Sequence, residues 1–374
     1  MNILWVASPL TDTRGGALTV TKNMVQGLKN NTHIYIGSCK YMGEIFTANG
    51  GKFIKSFPGF EPVNIKNWLL MPVSFILGFI QVVKYRKLYQ AADRVIVITC
   101  HTEVFFTIPW VLFLFKKPVT IMNHTGRCPQ SLYKNPLRFI MKWVYNRSQV
   151  VFVSNAHLNM WKKYDLAGKN PVVVYNGIKI DSLEQIDKLK TSEITFGYLG
   201  RIEEQKGMDI LFRALESLYL SQKITIKFGG VGVDFNKYKA WSDKIVLKNP
   251  NISIIWLGQV QDTKAFFNSI NCLIFPSKFE SFGLVMVEAW ERGVPVICSN
   301  IPAFIELKSF TNKEDEKRLI FESENSNSLS EKIMYFINNT AFYQTLEYQK
   351  KLHTVVQENF SLDQAISNIK NILS

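Results

Sequence analysis

The feature of this sequence that most restricts its fold is a regular alternation of short apolar runs with amphipathic stretches of helical length. Such alternation is typical of βαβ units, in which helices cover both faces of a parallel sheet. In the first half of the chain the predicted strands are Ile3–Ala7, His33–Gly37, Arg94–Thr99, Val119–Asn123, Val150–Ser154 and Val172–Tyr175. In the second half they are Ile194–Tyr198, Ile224–Gly229, Ile252–Leu257, Cys272–Pro276 and Val294–Cys298. Two such sets in 374 residues predict an α/β protein of two doubly wound domains.

The break between the two sets falls between Pro171 and about Lys190, where Asn176-Gly177 gives a turn signal before a polar stretch. We therefore predict an N-terminal domain over residues 1–178 and a C-terminal domain over residues 179–359. Five scattered cysteines without a C-x-x-C pair argue against a disulfide framework or a zinc ribbon and favour a reducing cytoplasm. The first residues lack the basic region and cleavage site of a signal peptide.

The net charge of +14 is concentrated in one half of the chain. Residues 1–190 hold 24 Lys and Arg against 9 Asp and Glu, whereas residues 191–374 hold 20 against 21. An anionic partner is therefore expected to meet the N-terminal half. Nucleic acid, anionic lipid and a phosphorylated substrate all fit this charge, although no helix-turn-helix, RNP or zinc signature supports nucleic acid.

Two uncharged segments stand out in the basic half. Trp68–Val83 is followed at once by Lys84, Arg86 and Lys87, and Val104–Phe115 is nearly as apolar and is followed by Lys116-Lys117. Neither reaches the roughly 20 apolar residues of a membrane-spanning helix. Two interpretations stay open: buried core helices of an α/β domain, or an interfacial element with aromatic side chains in a bilayer and lysines on its headgroups.

The most informative stretch runs from Phe275 to Cys298. Glu280 lies in a loop after a predicted strand, where open α/β sheets bind ligands, and Glu288 lies two helical turns further along. The backbone amides of Phe282 and Gly283 begin the predicted helix and suit phosphate oxygens. Because the residues around Glu288 are mostly apolar, its carboxylate needs a partner.

A second stretch, residues 196–215, carries two cations on a strand-to-helix loop. Gly200 allows close backbone approach, and Arg201 and Lys206 follow it. A guanidinium and an ammonium at this spacing suit a pyrophosphate, whereas Asp209 is expected to balance a helix dipole.

Further candidates follow strands of the first half. Gly15-Gly16 comes after the first strand and can present backbone amides to a phosphate, but it does not form the dinucleotide fingerprint. His101 and His124 each follow a strand, and Arg127 lies just beyond His124. Both histidines are expected at the carboxyl edge of the sheet.

Together these motifs resemble the family-four retaining glycosyltransferases of the GT-B fold. The signature of the C-terminal domain is matched by Pro276, Ser277, Glu280, Phe282, Gly283, Glu288, Ala289, Gly293, Pro295, Val296 and Ile297. The G-R-x(4)-K-G element is matched by Gly200, Arg201, Lys206 and Gly207. The resemblance spans nearly the whole chain and is most specific over residues 195–306.

The resemblance implies two Rossmann-like domains facing across a cleft. The N-terminal domain would bind the acceptor and include the last helix, about residues 360–374, and the C-terminal domain would hold the nucleotide sugar. The implied catalytic residues are His124, Glu280, Arg201 and Lys206. The implied donor-binding residues are Gly15, Gly16, Gly200, Arg201, Lys206, Gly230, Leu257, Glu280, Ser281, Phe282, Gly283, Leu284 and Glu288, and the acceptor side is expected to carry His101 and Arg127. Gly232 completes the family's glycine turn.

The activity implied is metal-independent transfer of a hexose or N-acetylhexosamine from a UDP- or GDP-linked donor, without a cofactor, since no D-x-D motif is present. The acceptor is expected to be a lipid-linked saccharide of surface polysaccharide (O-antigen, capsule or lipopolysaccharide) assembly. The protein is expected to be cytoplasmic and peripheral at the inner leaflet. A nucleotide-sugar epimerase of the same fold and a basic nucleic-acid-binding protein are the alternatives. Trp290-Glu291-Arg292, and Val231 and Val233, depart from the family pattern and predict altered packing or sugar choice.

Overall fold

A computed structural model describes residues 1–7, 16–56, 69–98, 101–124, 129–182, 193–311 and 317–373. The chain divides into two compact units. Unit 1 comprises Met1–Gly177 and Leu362–Ser374, and unit 2 comprises Ile178–Ser361. Unit 2 is thus inserted between the last two elements of unit 1. The chain enters and leaves unit 2 side by side, because the Ile178 amide donates to the carbonyl of Phe360 at 2.9 Å.

Unit 1 contains a seven-stranded parallel sheet in the order β3-β2-β1-β4-β5-β6-β7. Its strands are β1 (Asn2–Ala7), β2 (Thr32–Gly37), β3 (Lys52–Lys55), β4 (Arg94–Ile98), β5 (Val119–Asn123), β6 (Gln149–Phe152) and β7 (Pro171–Val173). Its described helices are α1 (Gly16–Gly27), α2 (Lys40–Ala48), α3 (Met71–Lys84), α4 (Arg86–Ala91), α5 (His101–Phe106), α6 (Ile108–Phe115), α7 (Gln130–Tyr133), α8 (Arg138–Tyr145), α9 (Asn155–Lys162) and, from the end of the chain, α18 (Leu362–Leu373).

Unit 2 contains a six-stranded parallel sheet in the order β10-β9-β8-β11-β12-β13. Its strands are β8 (Ile194–Leu199), β9 (Ile224–Gly229), β10 (Ile252–Gly258), β11 (Cys272–Phe275), β12 (Val296–Ser299) and β13 (Ile320–Phe321). Its described helices are α10 (Met208–Glu216), α11 (Phe235–Lys248), α12 (Thr263–Asn268), α13 (Leu284–Glu291), α14 (Pro302–Lys308), α15 (Ser326–Asn338), α16 (Thr340–Tyr343) and α17 (Leu346–Asn359).

Both sheets reverse their strand order beside a central strand, at β1/β4 in unit 1 and at β8/β11 in unit 2. In doubly wound sheets, ligands bind outside the carboxyl ends of the strands at such a reversal. The α/β prediction is confirmed, and each predicted strand is present within two residues at either end. The sequence did not predict β3 and β13, since β3 has lysines at both ends and β13 has only two residues.

The two apolar segments differ in their burial. The second segment supplies core, because Val104, Phe105, Ile108 and Val111 are almost completely buried. In the first, α3 buries one side and exposes several apolar side chains on the other, so the interpretation as a wholly buried core helix is wrong there. Trp68 lies outside the described residues. Across the described ranges, the structure has no helix that combines the length and apolarity needed to cross a membrane.

Candidate active site

The loop from β8 to α10 is built around a residue that must be glycine. Gly207 has a φ of 75°, in the left-handed region, and ends a single 3₁₀ turn over Glu204–Lys206. A Cβ atom on Gly207 would overlap the carbonyl oxygen of Pro276 in the loop after β11. The backbone of one loop therefore lies directly on the other, at the carboxyl edge of two adjacent strands.

A partly buried ion pair joins these two loops. Lys206 Nζ lies 2.6 Å from Glu280 Oε1, and their side chains are only 18% and 14% exposed. The Ser277 hydroxyl donates to the same carboxylate oxygen at 3.1 Å, while the carbonyl of Ser277 accepts a hydrogen bond from the Ser299 hydroxyl at 2.6 Å. Two of the predicted catalytic residues are thus in direct contact, and β12 supports the loop that carries one of them.

Lys278 provides a second link between the loops. Its Nζ lies 3.1 Å from Asp209 Oδ2 and 3.6 Å from Glu204 Oε1, and its amide donates to the carbonyl of Gln205 at 3.2 Å. Asp209 is in the first turn of α10, where its charge also complements the helix dipole. Lys278 was not among the predicted site residues, although it lies in the same loop as the predicted Glu280 and Ser281.

Arg201 is held through its backbone, which leaves its side chain at the surface. The Tyr198 hydroxyl donates to the carbonyl oxygen of Arg201 at 2.7 Å. Burial, together with the nearby carboxylates of Glu280 and Glu203, raises the pKa of Tyr198 well above its usual value, so this hydroxyl stays a donor. The guanidinium is half-exposed and lies 2.8 Å from Glu203 Oε2. Tyr198 was not among the predicted site residues.

The glycine turn after β9 packs on the loop after β8. Gly230 has a φ of 138°, and its amide donates to the carbonyl of Gly258 at 2.6 Å. A Cβ atom on Gly230 would overlap the carbonyl oxygen of Gly200. Beside this turn, Val231 and Leu257 are about half-exposed. The turn therefore combines close backbone packing with apolar side chains open to a ligand.

The first turn of α13 offers backbone donors. Gly283, with a φ of 107°, precedes the helix, and no side chain caps it. The first amides of an uncapped helix have no intrahelical acceptor and attract anions. Phe282 is buried beneath the turn, whereas Ser281 and Leu284 are half-buried.

Glu288 lies one turn further along α13 and is half-buried. Of the residues that the structure describes, none donates a hydrogen bond to its carboxylate. Burial, with a smaller contribution from the charge of Glu291, raises the pKa of Glu288 to about 7. A ligand that donates hydroxyl hydrogen bonds to this desolvated carboxylate would stabilise its ionised form.

Trp290, Glu291 and Arg292, which depart from the family pattern, have a packing role at the end of α13. Trp290 is fully buried, and Glu291 Oε1 accepts a hydrogen bond from the Asp181 amide at 2.9 Å. Arg292 Nη1 lies 3.1 Å from Asp181 Oδ2, and its Nε donates to Asn268 Oδ1 at 3.0 Å. These contacts fasten the segment that enters unit 2 to the helix that carries Glu288.

The candidates in unit 1 lie after β1, β4 and β5. Gly16 begins α1 and His101 begins α5, whereas Gly15 and Arg127 are outside the described residues. His124 follows β5 and is half-buried at the edge of an apolar hollow. Burial lowers the pKa of His124 to about 4, so its imidazole is neutral at pH 7.

Unit 2 therefore collects cations, carboxylates and uncapped amides at the carboxyl edge of its sheet, an arrangement that suits a phosphorylated ligand with hydroxyl groups. The cations are those of Arg201 and Lys206, and the carboxylates those of Glu280 and Glu288. Within the described ranges, no three His, Cys, Asp or Glu side chains are grouped closely enough to hold a metal ion.

Two family models match this chain, one in each half. The family model described as glycosyl transferases group 1 matches residues 179–353, and the one described as Glycosyltransferase Family 4 matches residues 14–182.

Three curated relatives are bacterial proteins. An uncharacterized 41.2 kDa protein in the cps region of Klebsiella pneumoniae is 24% identical over 86% of this chain and 88% of its own. The O-antigen biosynthesis glycosyltransferase WclY of Escherichia coli is 24% identical over 62% of each chain. The capsular polysaccharide biosynthesis glycosyltransferase CapM of Staphylococcus aureus is 25% identical over 67% of this chain and 68% of its own.

Among solved structures, that of Anabaena HepE in complex with UDP and glucose matches with a TM-score of 0.77 at 18% identity. The match covers 99% of this chain and 98% of HepE. The chain has the GT-B fold, as the family resemblance implied.

Proposed function

We propose that this chain, which belongs to the glycosyl transferases group 1 family, moves a hexose or N-acetylhexosamine from a UDP- or GDP-linked donor to a lipid-linked saccharide. Its relatives act in capsule and O-antigen biosynthesis, which supports a role in assembling a surface polysaccharide. We propose further that the transfer retains the anomeric configuration and needs no metal ion.

The observation that carries the proposal is the contact between Lys206 Nζ and Glu280 Oε1 at 2.6 Å. One loop supplies cations that suit a diphosphate, and the adjacent loop supplies a carboxylate that suits sugar hydroxyls. Their direct contact means that both groups can engage neighbouring parts of a single nucleotide sugar.

In the proposed reaction, the bond between the anomeric carbon and the distal phosphate oxygen breaks, and its electron pair stays on the diphosphate. The acceptor hydroxyl forms the new carbon–oxygen bond on the same face of the sugar, and its proton passes to a phosphate oxygen. Arg201 and Lys206 would stabilise the charge that develops on the diphosphate, with the amides at Gly15-Gly16 and at the start of α13 adding donors. These cations supply the charge that a metal ion would otherwise provide.

The remaining roles follow the parts of the donor. Glu288 would accept hydrogen bonds from the ribose hydroxyls, and these would supply donors that its carboxylate does not find among the described residues. Gly230 and Leu257 would flank the base. Glu280 would hold the transferred sugar, and the neutral imidazole of His124 would lie beside its reacting carbon. His101 and Arg127 keep the acceptor-side roles that the family resemblance implies.

We propose that the protein works peripherally at the cytoplasmic face of a membrane, where a lipid-linked acceptor would be found. The uneven charge supports this location, since the excess of cations lies in the half expected to meet the acceptor.

The first test is a thermal-shift panel of UDP, GDP and their common sugars on wild type and on Glu288→Ala. One nucleotide should raise the melting temperature by mass action, and the variant should lose much of that rise. Donor turnover is then followed with and without a lipid-linked acceptor and in the presence of EDTA, and the anomeric configuration of the product is read by NMR. Failure of every nucleotide to bind at millimolar concentration would overturn the proposal, and turnover of donor to an epimer without acceptor would favour the epimerase.

A further inference from the structure

Helix α3 exposes a stripe of apolar side chains, which is unusual for a helix on a protein surface. Val73, Ile76, Ile80 and Val83 fall on one stripe at intervals of three and four residues, and all are exposed, Ile76 by 59%. On the opposite side, the buried residues are Met71, Ser74, Gly78, Gln81 and Val82, so two polar side chains lie inward while the apolar stripe lies outward. Surface helices of globular proteins place apolar residues toward the core and polar ones outward, so this stripe needs a covering. We call Val73, Ile76, Phe79, Ile80 and Val83 the α3 face.

The packing of α3 fixes this orientation. A Cβ atom on Gly78 would overlap the carbonyl oxygen of Phe106, so the glycine side of α3 lies directly on the end of α5. The indole of Trp110 in α6 donates to the carbonyl of Phe75 at 3.0 Å and its ring centroid lies 4.8 Å from that of Phe79. Turning α3 to bury its apolar stripe would break these contacts and expose Trp110.

The neighbouring helices present further apolar side chains. Phe113 and Leu114 at the end of α6 are exposed, Phe113 by 69%, and Phe139 on α8 is exposed by 62%. Helix α6 packs against both α3 and α8. The apolar exposure is therefore a property of this group of helices in unit 1.

Cations accompany this surface, and acidic residues are almost absent from it. Residues 69–147 contain eleven Lys and Arg but only Asp93 and Glu103 as acids, and Glu103 is buried. Lys84 in the last turn of α3 and Arg86 and Lys87 just beyond it are exposed, and Lys116 is exposed directly after α6. The helices α3, α4, α6, α7 and α8 contain no acidic residue.

We infer that the α3 face inserts into an anionic lipid bilayer, with the lysines and arginines at the ends of α3 and α6 on the lipid phosphates. Apolar side chains on one face and cations beside them are the combination that binds membrane interfaces. A second copy fits less well, because pairing two such faces would bring like charges together. This inference names the surface by which the protein would reach the membrane location given in the proposed function. It rests on the proposed function only in assuming that the acceptor is present in that bilayer.

The test is co-sedimentation of the full chain with vesicles of phosphatidylglycerol and phosphatidylethanolamine, or of phosphatidylcholine alone. Wild type should bind the anionic vesicles, and Ile76→Asp should lower the partition coefficient at least tenfold. The double variant Arg86→Glu with Lys87→Glu should lower the partition coefficient more than tenfold at low salt, because each lost cation should lower it about fivefold. The matched controls are Leu247→Asp, an 85% exposed apolar residue on α11 of unit 2, and Lys350→Glu on α17, and both should bind within twofold of wild type.

Three results would overturn the inference: no binding of wild type to anionic vesicles, equal binding by Ile76→Asp, or a lipid-free dimer that Ile76→Asp dissociates. The nucleotide thermal shift is measured on the same variants. Vesicle binding without a nucleotide-induced shift in melting temperature would refute the proposed activity but support the membrane-docking surface. A nucleotide-induced shift without vesicle binding would support the proposed activity and refute the docking surface.

Discussion

Replacing Glu288 by glutamine should stabilise the free protein at neutral and alkaline pH. The pKa of this carboxyl is about 7 in the folded protein, against 4.5 for an unperturbed glutamate. Because the folded pKa is the higher one, the folded state binds more protons between these values, and the free energy of unfolding falls as the pH rises from about 4.5 to about 7. The difference of 7 − 4.5 = 2.5 units corresponds to about 3 kcal/mol at most. Since Glu288 is only half-buried, we expect Glu288→Gln to gain about 1–3 kcal/mol at pH 8 and nothing at pH 4.5.

The same carboxylate makes donor binding depend on pH. If ribose hydroxyls donate to the ionised form, protonation competes with binding, and a pKa of about 7 predicts an affinity roughly tenfold higher at pH 8 than at pH 6. Glu288→Gln should abolish this pH dependence and weaken binding by about tenfold to a hundredfold, the range for hydrogen bonds to a charged group.

The stability is measured by urea unfolding followed by tryptophan fluorescence from pH 4.5 to pH 8, and the affinity by calorimetry. A nucleotide sugar is the ligand of choice, because its diphosphate does not titrate in this range. The exposed Glu331 on α15 supplies the matched control, and Glu331→Gln should change neither curve. A Glu288→Gln variant that is no more stable than wild type at pH 8, and that binds the nucleotide sugar with unchanged pH dependence, would refute this prediction.

Three further substitutions test the loops and the end of α13. Lys206→Ala should lower kcat in donor turnover by about 10²–10³, the usual effect of losing one group that stabilises developing charge, and an undiminished rate would remove Lys206 from the mechanism. Gly207→Ala should lower the free energy of unfolding in urea by more than about 3 kcal/mol. The control is Gly50→Ala, with a φ of 77° and open space around its Cβ, which should lose only the cost of a left-handed backbone, about 1–2 kcal/mol. Equal losses would show that the contact with Pro276 does not matter. Arg292→Leu should cost about 1–3 kcal/mol, because it removes the buried donor to Asn268 and to Asp181, although Asp181 keeps Lys264 at 2.5 Å. A loss in melting temperature no larger than that of the exposed Lys350→Leu would contradict this.

Most of the fold was predictable because parallel strands buried on both faces leave continuous apolar runs in the sequence. Runs such as Ile224–Gly229 stand out between polar helices, and the loops that follow them carry the glycines and charges of a ligand site. Lys206 and Glu280 were predicted to belong to one site, but their direct contact was not, since they are 74 residues apart in the chain.

The roles of Tyr198 and Lys278 could not be read from the sequence for the same reason. A tyrosine in a strand is typical of core, and its bond to the carbonyl of Arg201 depends on how the loop turns back. Lys278 gains its importance from Asp209, 69 residues earlier. By contrast, the orientation of α3 did leave a signal, because Ser74, Gly78 and Gln81 recur at helical spacing and mark the buried side.

The return of α18 to unit 1 sets the order in which the chain can complete its folding during synthesis. Unit 2 is entire once Ser361 has been made, but unit 1 still lacks a helix whose Ile366 fills the space beside Gly27 of α1. Until the ribosome has added the twelve residues of α18, Val20 and Met24 on α1 lack the helix that lines the hollow beside them. The unit whose synthesis begins first is therefore the one whose sequence is completed last, and a chain ending before Leu362 would lack an element of unit 1 while keeping all of unit 2.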